Sequence, residues 1–348
     1  MYFFTGEACP SEHIAQRYVS NGNCAECNRP TNERFQPGAN DAGTFETFHK
    51  RQRVYTHIEE RLKKIRTIFD EYRDQGFVLS VRQVFYQFVS RTWEVNDKNA
   101  YTRIGDTIKK GRLEGVLDWD MIEDRSRTLH DVDHWSSPAE YVRAAGYGYS
   151  LDYWQWQDHA PLVLIEKDAL IGVIENVCKE LRLPYMGLHG FNSTSMNRVV
   201  SERLKQAIEQ DRKPIVFHLG DHDPSGLSAT EALRKTLALM ARQPVEVVRL
   251  ALNSDQGPVD QIKKYKPPPN MLKDEDEIKD TRYPKYLAEY GPEMWELDAL
   301  EPRVICELIR KATDRIIGLN DWERAIDREQ TGQDAIAKIA KHKSLRTL

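Results

Sequence analysis

The chain has 348 residues, of which 40% are hydrophobic and 30% charged, and its formal net charge at pH 7 is −4. These values are typical of a soluble globular protein of two or three domains. No apolar run is long enough to span a bilayer, and "MYFFTGEACP" lacks the pattern of a signal peptide, so a cytoplasmic protein is expected. Without a global basic excess, any binding of nucleic acid must come from local patches.

The N-terminal segment 1–35 holds three of the five cysteines among turn-forming residues. Cys9, His13, Cys24 and Cys27 follow the spacing C-x3-H-x10-C-x2-C. Three thiolates and one imidazole match a structural zinc site, closed to substrate, while unpaired reduced thiols are the alternative. A linker is predicted over 36–54, which contains "QPGANDAGT". The two remaining cysteines, Cys178 and Cys306, are predicted to be buried apolar residues.

The segment 55–158 begins with three predicted helices, at 56–75, 81–93 and 99–112. In the first two, apolar residues recur at helical spacing, and Ser80 is placed to cap the second. Three short helices with tight connections suggest a helix-turn-helix unit. The stretch 117–158, with the Trp-rich "DYWQWQ", has no clear assignment; its tryptophans could stack on bases but more often serve packing.

From residue 159 onward the pattern alternates. Strands are predicted at 162–166, 184–188, 214–219 and 245–252, and helices at 168–182, 194–211 and 226–242. Such alternation predicts a parallel sheet with right-handed crossovers. A proline- and charge-rich loop at 267–284 and helical segments near 300–317 and 321–341 complete the chain. The expected fold class is therefore α/β plus α, with an α/β domain and helical tail over 159–348.

Acidic residues follow two of the predicted strands. Glu166 ends the first, and Asp221 and Asp223 end the third within "GDHDPSG". Because functional groups gather at the carboxyl ends of parallel strands, the three carboxylates are expected to meet. Hard oxygen ligands at that density suit Mg²⁺, or Mn²⁺ in its place. Solvated loop acids that cap the next helices are the alternative.

The motifs "VLIEKDAL", "GLHGFNSTS" and "HLGDHDPSG" resemble the Toprim domain, whose signature is a Glu after one strand and D-x-D after another. The closest resemblance is to the A subunit of topoisomerase VI and its meiotic double-strand-break relatives. This resemblance implies that Glu166, Asp221 and Asp223 bind Mg²⁺. His222 stands between the aspartates, where the family commonly has a small residue.

The same relatives carry a winged-helix domain before Toprim, with a nucleophilic tyrosine in an R-x-x-[YF]-Y pattern. In "SVRQVFYQFV", Arg82, Phe85 and Tyr86 stand in register with that pattern. The resemblance implies that Tyr86 attacks a phosphodiester and leaves a phosphotyrosine bond, with Arg82 beside it. Phe85 and Tyr86 could instead be core aromatics of an amphipathic helix.

Further segments resemble compact, stand-alone Toprim proteins of bacteria and phages, often called mini-A. They are "YTRIGDTIKKGRLEG", "PPPNMLKDEDEIKDTR" and "WELDALEPRVICELIRKATD". The resemblance covers about 55–315. The cysteine-containing segment resembles zinc modules attached to phage nucleases and other mobile-element proteins, which suggests a mobile-element setting or the nucleoid or cytoplasm of a phage-infected cell.

Basic residues cluster on and after the third predicted helix. The candidate DNA contacts are Arg103, Lys109, Lys110, Arg112, Arg125, Arg127 and Lys167. Contacts to phosphates from such residues would position a duplex without reading its sequence. Solvated helix faces are the alternative.

Three hypotheses follow. The first is a type IIB-like DNA strand-breaking transesterase that acts on double-stranded DNA. The resemblance implies a homodimer in which Tyr86 of one protomer reaches the Mg²⁺ site of the other, since two nicks on opposite strands need two sites. The second keeps the metal site but makes cleavage hydrolytic, with Tyr86 structural. The third is a DNA-binding or bridging protein that needs an unseen ATPase or accessory subunit.

Overall fold

The computed structural model describes residues 2–3, 17–18, 56–122, 134–188, 194–254, 260–270 and 279–342. The chain divides into two compact units, Met1–Glu123 and Asp124–Leu348. The predicted zinc ligands Cys9, His13, Cys24 and Cys27 lie outside the described residues, as do Arg125 and Arg127.

The described residues of the first unit form a two-residue antiparallel pair and three helices. These elements are β1 (Tyr2–Phe3), β2 (Arg17–Tyr18), α1 (Thr56–Asp74), α2 (Val81–Ser90) and α3 (Lys98–Leu113). The three predicted helices are confirmed. In α1 the apolar residues at helical spacing, among them Ile65 and Phe69, are buried. Within 56–122 strand pairing consists of one bridge, Leu79 with Ile122, so the winged form of this unit stays a prediction.

The start of α2 is fixed by its capping residues. The Ser80 hydroxyl accepts a hydrogen bond from the Gln83 backbone N–H at 3.2 Å, and the Gln83 side chain accepts one from the Ser80 N–H at 2.8 Å. This capping box satisfies two backbone donors that the helix leaves unpaired.

Replacing Ser80 with alanine is expected to lower the free energy of unfolding by about 1 kcal/mol, because the Gln83 N–H loses its acceptor. Ser90→Ala, at the other end of α2, is the matched control, since the Ser90 hydroxyl only donates to the Gln87 carbonyl. Urea unfolding measures both variants. Equal losses of stability would contradict a specific role for the cap.

The second unit is built on a four-stranded parallel sheet. Its strands are β3 (His159–Ile165), β4 (Tyr185–Gly187), β5 (Lys213–Leu219) and β6 (Glu246–Ala251), in the order β4-β3-β5-β6. The predicted parallel sheet is confirmed. The register sets Ile165 beside Leu219, so β3 and β5 end level with each other.

Four helices of the described residues pack on this sheet. They are α5 (Ile171–Glu180), α6 (Thr194–Glu209), α7 (Pro224–Ala241) and α10 (Pro302–Asp314), and the same unit also contains α8 (Gln261–Tyr265), α9 (Tyr283–Tyr290) and α11 (Leu319–Ala340). Helices α6 and α7 pack together over one core, which includes Leu164, Val216 and Leu237. Helix α10 packs on α5. Cys178 of α5 is buried, as predicted, whereas Cys306 of α10 is only half-buried, and its thiol donates to the Val173 carbonyl.

The segment before β3 belongs to the second unit, whereas the sequence grouped 124–158 with the first. Helix α4 (Pro138–Gly148) and the 3-10 turn Tyr153–Trp156 pack against α11. The Trp322 ring meets those of Tyr153 and Trp154 edge-on, with centroids 4.9 and 5.4 Å apart. Trp154 is buried, which confirms the packing interpretation for this tryptophan, and its neighbour Tyr153 is buried as well.

Within the described ranges, none of the helices combines the length and the apolar character that crossing a membrane requires.

Candidate functional site

The strand order reverses between β3 and β5. After β3 the chain moves outward to β4, then returns to the other side of β3 to form β5. In open parallel sheets ligands bind at this point of reversal, outside the strand ends. Glu166 directly follows β3, and Asp221 lies two residues after β5. The topology therefore places both predicted acids at the sheet's expected binding edge.

Glu166 and Asp221 are in direct contact. The Asp221 backbone N–H donates to Glu166 Oε2 at 3.0 Å. Gly220 makes this approach possible, because a Cβ at that position would stand 2.7 Å from Glu166 Oε2. Gly220, which precedes the D-x-D motif, therefore leaves the space that the Glu166 carboxylate occupies.

Asp223 caps α7. Its Oδ1 accepts a hydrogen bond from the Gly226 N–H at 2.6 Å, and Pro224 begins the helix. A Cβ at position 226 would stand 2.2 Å from the Asp221 carbonyl oxygen, closer than real Cβ contacts. The turn after the strand thus holds the two aspartates in a fixed relation. The helix-capping alternative is correct for this oxygen of Asp223.

The surroundings of Asp221 and Glu166 disfavour the ionised form of both carboxyl groups. Burial raises the pKa of Asp221 to about 7, against the lowering effect of the Lys167 ammonium. Burial also raises the pKa of Glu166, and repulsion from the Asp223 carboxylate raises it further. Carboxyl groups that are buried and repel each other are stabilised in their ionised form by a bound cation.

Two carboxylate oxygens at this edge are open. Glu166 Oε1 and Asp223 Oδ2 make no hydrogen bond to any described residue. Asp221 is different, because its Oδ1 accepts from the Leu297 N–H at 2.7 Å and its Oδ2 faces Lys167. Among the residues that the structure describes, no group of three or more Asp, Glu, His or Cys side chains forms a metal-binding arrangement as it stands. The open oxygens of Glu166 and Asp223 are of the kind that Mg²⁺ prefers, and waters complete its coordination in such sites.

Lys167 lies at the centre of a carboxylate cluster. Its Nζ is 2.7 Å from Asp298 Oδ2 and 3.1 Å from both Glu296 Oε2 and Asp221 Oδ2. Burial alone would lower the pKa of Lys167, but the three carboxylates raise it well above its usual value. A contact to DNA phosphate would have to compete with these carboxylates, and that role stays a prediction. Glu296 and Asp298 were not predicted as site residues, although both lie in the "WELDALEP" segment.

Arg249 of β6 holds the backbone of the Gly220–Asp221 turn. Its guanidinium donates to the carbonyl oxygens of Gly220, Asp221 and Gly226, and to the Thr230 hydroxyl. Burial lowers its pKa to about 10. Sequence reasoning missed this residue. The available indication was an arginine inside the apolar strand "VEVVRLAL".

His222, between the two aspartates, points into an aromatic enclosure. The rings of Tyr286, Tyr290 and Trp295 surround it edge-on, at centroid distances of 5.6, 4.9 and 5.8 Å. Its Nδ1 lies 2.9 Å from the Tyr286 hydroxyl, and its backbone pairs with that of Trp295. His222 is 1% exposed. It therefore fastens the D-x-D turn to the C-terminal segment and does not belong to the open edge.

The predicted nucleophile lies in the first unit. Tyr86 is 4% exposed, among the buried residues of α2, and its ring contacts Phe85. This burial is what the core-aromatic alternative expects. Arg82 is exposed on the same helix, with its guanidinium 5.6 Å from the centre of the Tyr101 ring.

The basic residues of α3 differ in how much they contact other residues of the protein. Arg103 pairs with Glu94 at 3.1 Å, and Lys110 lies 3.8 Å from Glu114. Arg112 stacks on Trp119 at 4.4 Å and donates to its carbonyl oxygen. Lys109 is exposed. A DNA-contacting role for these residues stays a prediction, and Lys109 is the one best placed to meet phosphate.

A scan of protein-family models finds none that matches this chain, and a search of curated proteins finds no relative.

Proposed function

We propose that this protein cleaves DNA strands in a reaction that depends on Mg²⁺ held at the edge formed by Glu166, Asp221 and Asp223. The observation that carries the proposal is the pair of open oxygens, Glu166 Oε1 and Asp223 Oδ2, at the point where the strand order reverses. The raised pKa values of Glu166 and Asp221 support a cation there, since a divalent ion would stabilise their ionised forms.

The choice of DNA as substrate rests on the sequence. The strand-end motifs resemble the Toprim domain, and the sheet order agrees with a Glu from the first strand meeting a D-x-D from the third. When bound, Mg²⁺ would hold the scissile phosphate and offset its developing charge. The protein's acids position that ion, and Arg249 fixes the turn that carries two of them.

The first form of the reaction is transesterification by Tyr86. The phenol oxygen would form a bond to phosphorus while the bond to one deoxyribose oxygen breaks, and the phenol proton would leave to a base or water. The released deoxyribose oxygen takes up a proton, and the resulting hydroxyl can later attack the phosphotyrosine to reseal the strand. A phenol of ordinary pKa near 10 needs a base or cation nearby to react in this way.

The second candidate is hydrolysis at the same metal site. It is favoured by one observation, the 4% exposure of Tyr86, because a nucleophile must reach the phosphate. In that case water attacks phosphorus, and Tyr86 serves only to pack α2.

A plasmid assay separates the two forms. Supercoiled DNA is incubated with the full chain and Mg²⁺ or Mn²⁺, stopped with detergent, and analysed with and without protease. For transesterification, protein-linked ends are expected from the wild type and none from Tyr86→Phe. Tyr72→Phe is the matched control, since Tyr72 is equally buried at 4% exposure.

Two other outcomes of this assay would distinguish hydrolysis and non-cleaving DNA binding from transesterification. Free DNA ends that Tyr86→Phe leaves unchanged would establish hydrolysis. DNA binding without any breakage, unaffected by Asp221→Ala, would contradict the proposed cleavage and favour a binding or bridging protein that needs a partner subunit.

The proposal includes a structural zinc at Cys9, His13, Cys24 and Cys27, and a homodimer that cuts both strands. Metal analysis of protein purified without chelator is expected to find one zinc per chain. Light scattering is expected to find two chains per particle.

A further inference from the structure

A cavity of about 220 Å³ lies at the amino end of the sheet, opposite the acidic edge. Ala160 of β3, Pro184 just before β4 and Ala207 of α6 are among the residues that line it. Ala160 precedes Glu166 by six residues of extended chain, which span about 20 Å. The cavity is therefore distinct from the proposed metal site.

Part of the cavity wall is apolar. Leu162 of β3, Leu204 of α6 and Trp154 line the cavity, and all three are buried. Apolar surface of this kind holds the carbon skeleton of a ligand, while a few polar groups fix its orientation. Pockets for drug-sized ligands measure about 300–1,000 Å³, so this cavity suits a smaller molecule.

Two arginines also line the cavity, and one of them carries an uncompensated charge. Arg203 of α6 is exposed and makes no hydrogen bond or ion pair with a described residue. Asp152 is the one acid among the described residues that line the cavity, and its Oδ2 lies 4.0 Å from Arg212 Nη1. The other oxygen of Asp152 accepts from the Trp154 N–H at 3.0 Å. The carboxylate thus serves Arg212 and the local turn, and the Arg203 charge stays available to a ligand.

Arg212 is held in place by two hydrogen bonds. Its Nη1 donates to the Trp154 carbonyl oxygen at 3.1 Å, and its Nη2 donates to Gln210 Oε1 at 2.5 Å. Its Nε–H is buried and has no acceptor among the described residues. Because a buried donor without an acceptor is unfavourable, a ligand oxygen that accepted from this N–H would stabilise the complex.

We propose that this cavity binds a small phosphate monoester, whose phosphate contacts Arg203 and Arg212 and whose carbon skeleton rests on the apolar wall. A phosphate monoester carries a charge of about −1.5 to −2 at pH 7, which matches two guanidinium groups better than a single carboxylate does. The planar guanidinium of arginine also binds two phosphate oxygens at once. This binding site does not depend on the proposed DNA cleavage.

The test titrates the full chain with phenyl phosphate in a calorimeter. The wild type is expected to bind one phenyl phosphate per chain, and more tightly than inorganic phosphate, which has no carbon skeleton. Arg203→Gln and Arg212→Gln are each expected to weaken binding at least about tenfold, because each removes a charge-assisted contact. Arg198→Gln is the matched control with wild-type affinity, since Arg198 is exposed on the same helix away from the residues that line the cavity.

Arg203→Gln keeps the test decisive if Arg212→Gln fails to fold, because Arg203 is exposed and makes no contact that the fold needs. The inference is overturned if the wild type shows no saturable binding, or if Arg198→Gln weakens binding as much as Arg203→Gln. It is also overturned if inorganic phosphate binds as tightly as phenyl phosphate.

Glu166→Gln separates this inference from the proposed function. The variant is expected to bind phenyl phosphate like the wild type, whatever its cleavage activity. Loss of phenyl phosphate binding in Glu166→Gln would place the ligand at the acidic edge and overturn the inference.

A competition experiment identifies the source of the phosphate group, because a DNA strand with a 5′-phosphate also ends in a monoester. Displacement of phenyl phosphate by such a strand, but not by the same strand with a 5′-hydroxyl, would support the site and assign it to a DNA end. Displacement by neither strand would support the site and assign it to a free small molecule. Equal displacement by both strands would show that phosphodiesters bind there, and would overturn the assignment to a monoester.

Discussion

Replacing Glu166 with glutamine is expected to lower the rate of Mg²⁺-dependent DNA cleavage at least about 100-fold. The substitution removes the negative charge beside the open oxygen Oε1, and electrostatic stabilisation of a developing charge is typically worth that much in an active site. The plasmid assay, run over a range of Mg²⁺ concentrations, measures the loss. Asp223→Asn is expected to give a loss of similar size, because it neutralises the other open carboxylate.

The Tm of Glu166→Gln shows whether its loss of cleavage activity comes from the metal site or from unfolding. Since the pKa of Glu166 is raised in the folded chain, its ionised form lowers stability at neutral pH, and the neutral glutamine removes that cost. Glutamine also keeps an oxygen that can accept from the Asp221 N–H. The Tm of Glu166→Gln is therefore expected to equal or exceed that of the wild type.

Glu246→Gln is the matched control for Glu166→Gln, because Glu246 is exposed at the opposite end of a strand. It is expected to cleave DNA at the wild-type rate. Full cleavage activity in Glu166→Gln would remove Glu166 from the metal site and with it the main support for the proposed function.

Replacing Gly226 with alanine is expected to lower the free energy of unfolding by about 1–3 kcal/mol, the usual cost of overpacking. The new Cβ would stand 2.2 Å from the Asp221 carbonyl oxygen, which is backbone and is held by Arg249. Relief requires the turn that carries Asp221 and Asp223 to shift. We therefore expect cleavage activity to fall even at temperatures where the variant stays folded.

Gly105→Ala in α3 is the matched control for this steric argument. A Cβ at position 105 would meet only the Val81 side chain, at an ordinary 3.7 Å. Because alanine is favoured over glycine in a helix by up to about 1 kcal/mol, this variant is expected to keep or gain stability. Urea unfolding compares the two variants. A Gly226→Ala protein as stable as Gly105→Ala would show that the turn can move freely.

The elements of the fold were largely predictable because their patterns are local. Helical spacing of apolar residues located α1 and α2, and Ser80 marked the start of α2. The sheet was predictable because strand and helix patterns alternate along the sequence. The region around the predicted loop at 267–284 was less predictable, because α9 begins inside that loop and α8 lies just before it. Helical spacing could not decide between the two roles of Tyr86, since both place it on α2, and its burial depends on neighbours distant in sequence.

The sequence by itself determined that Glu166, Asp221 and Asp223 gather at one edge, because parallel strands bring their carboxyl ends together wherever they lie in the chain. Only the tertiary structure decided how each acid is used. Lys167 meets Glu296 and Asp298 across 129 and 131 residues, and α4 joins the second unit through α11. Such contacts follow from the shapes and charges of whole surfaces that fold together, and no local pattern encodes which distant side chain will be the partner.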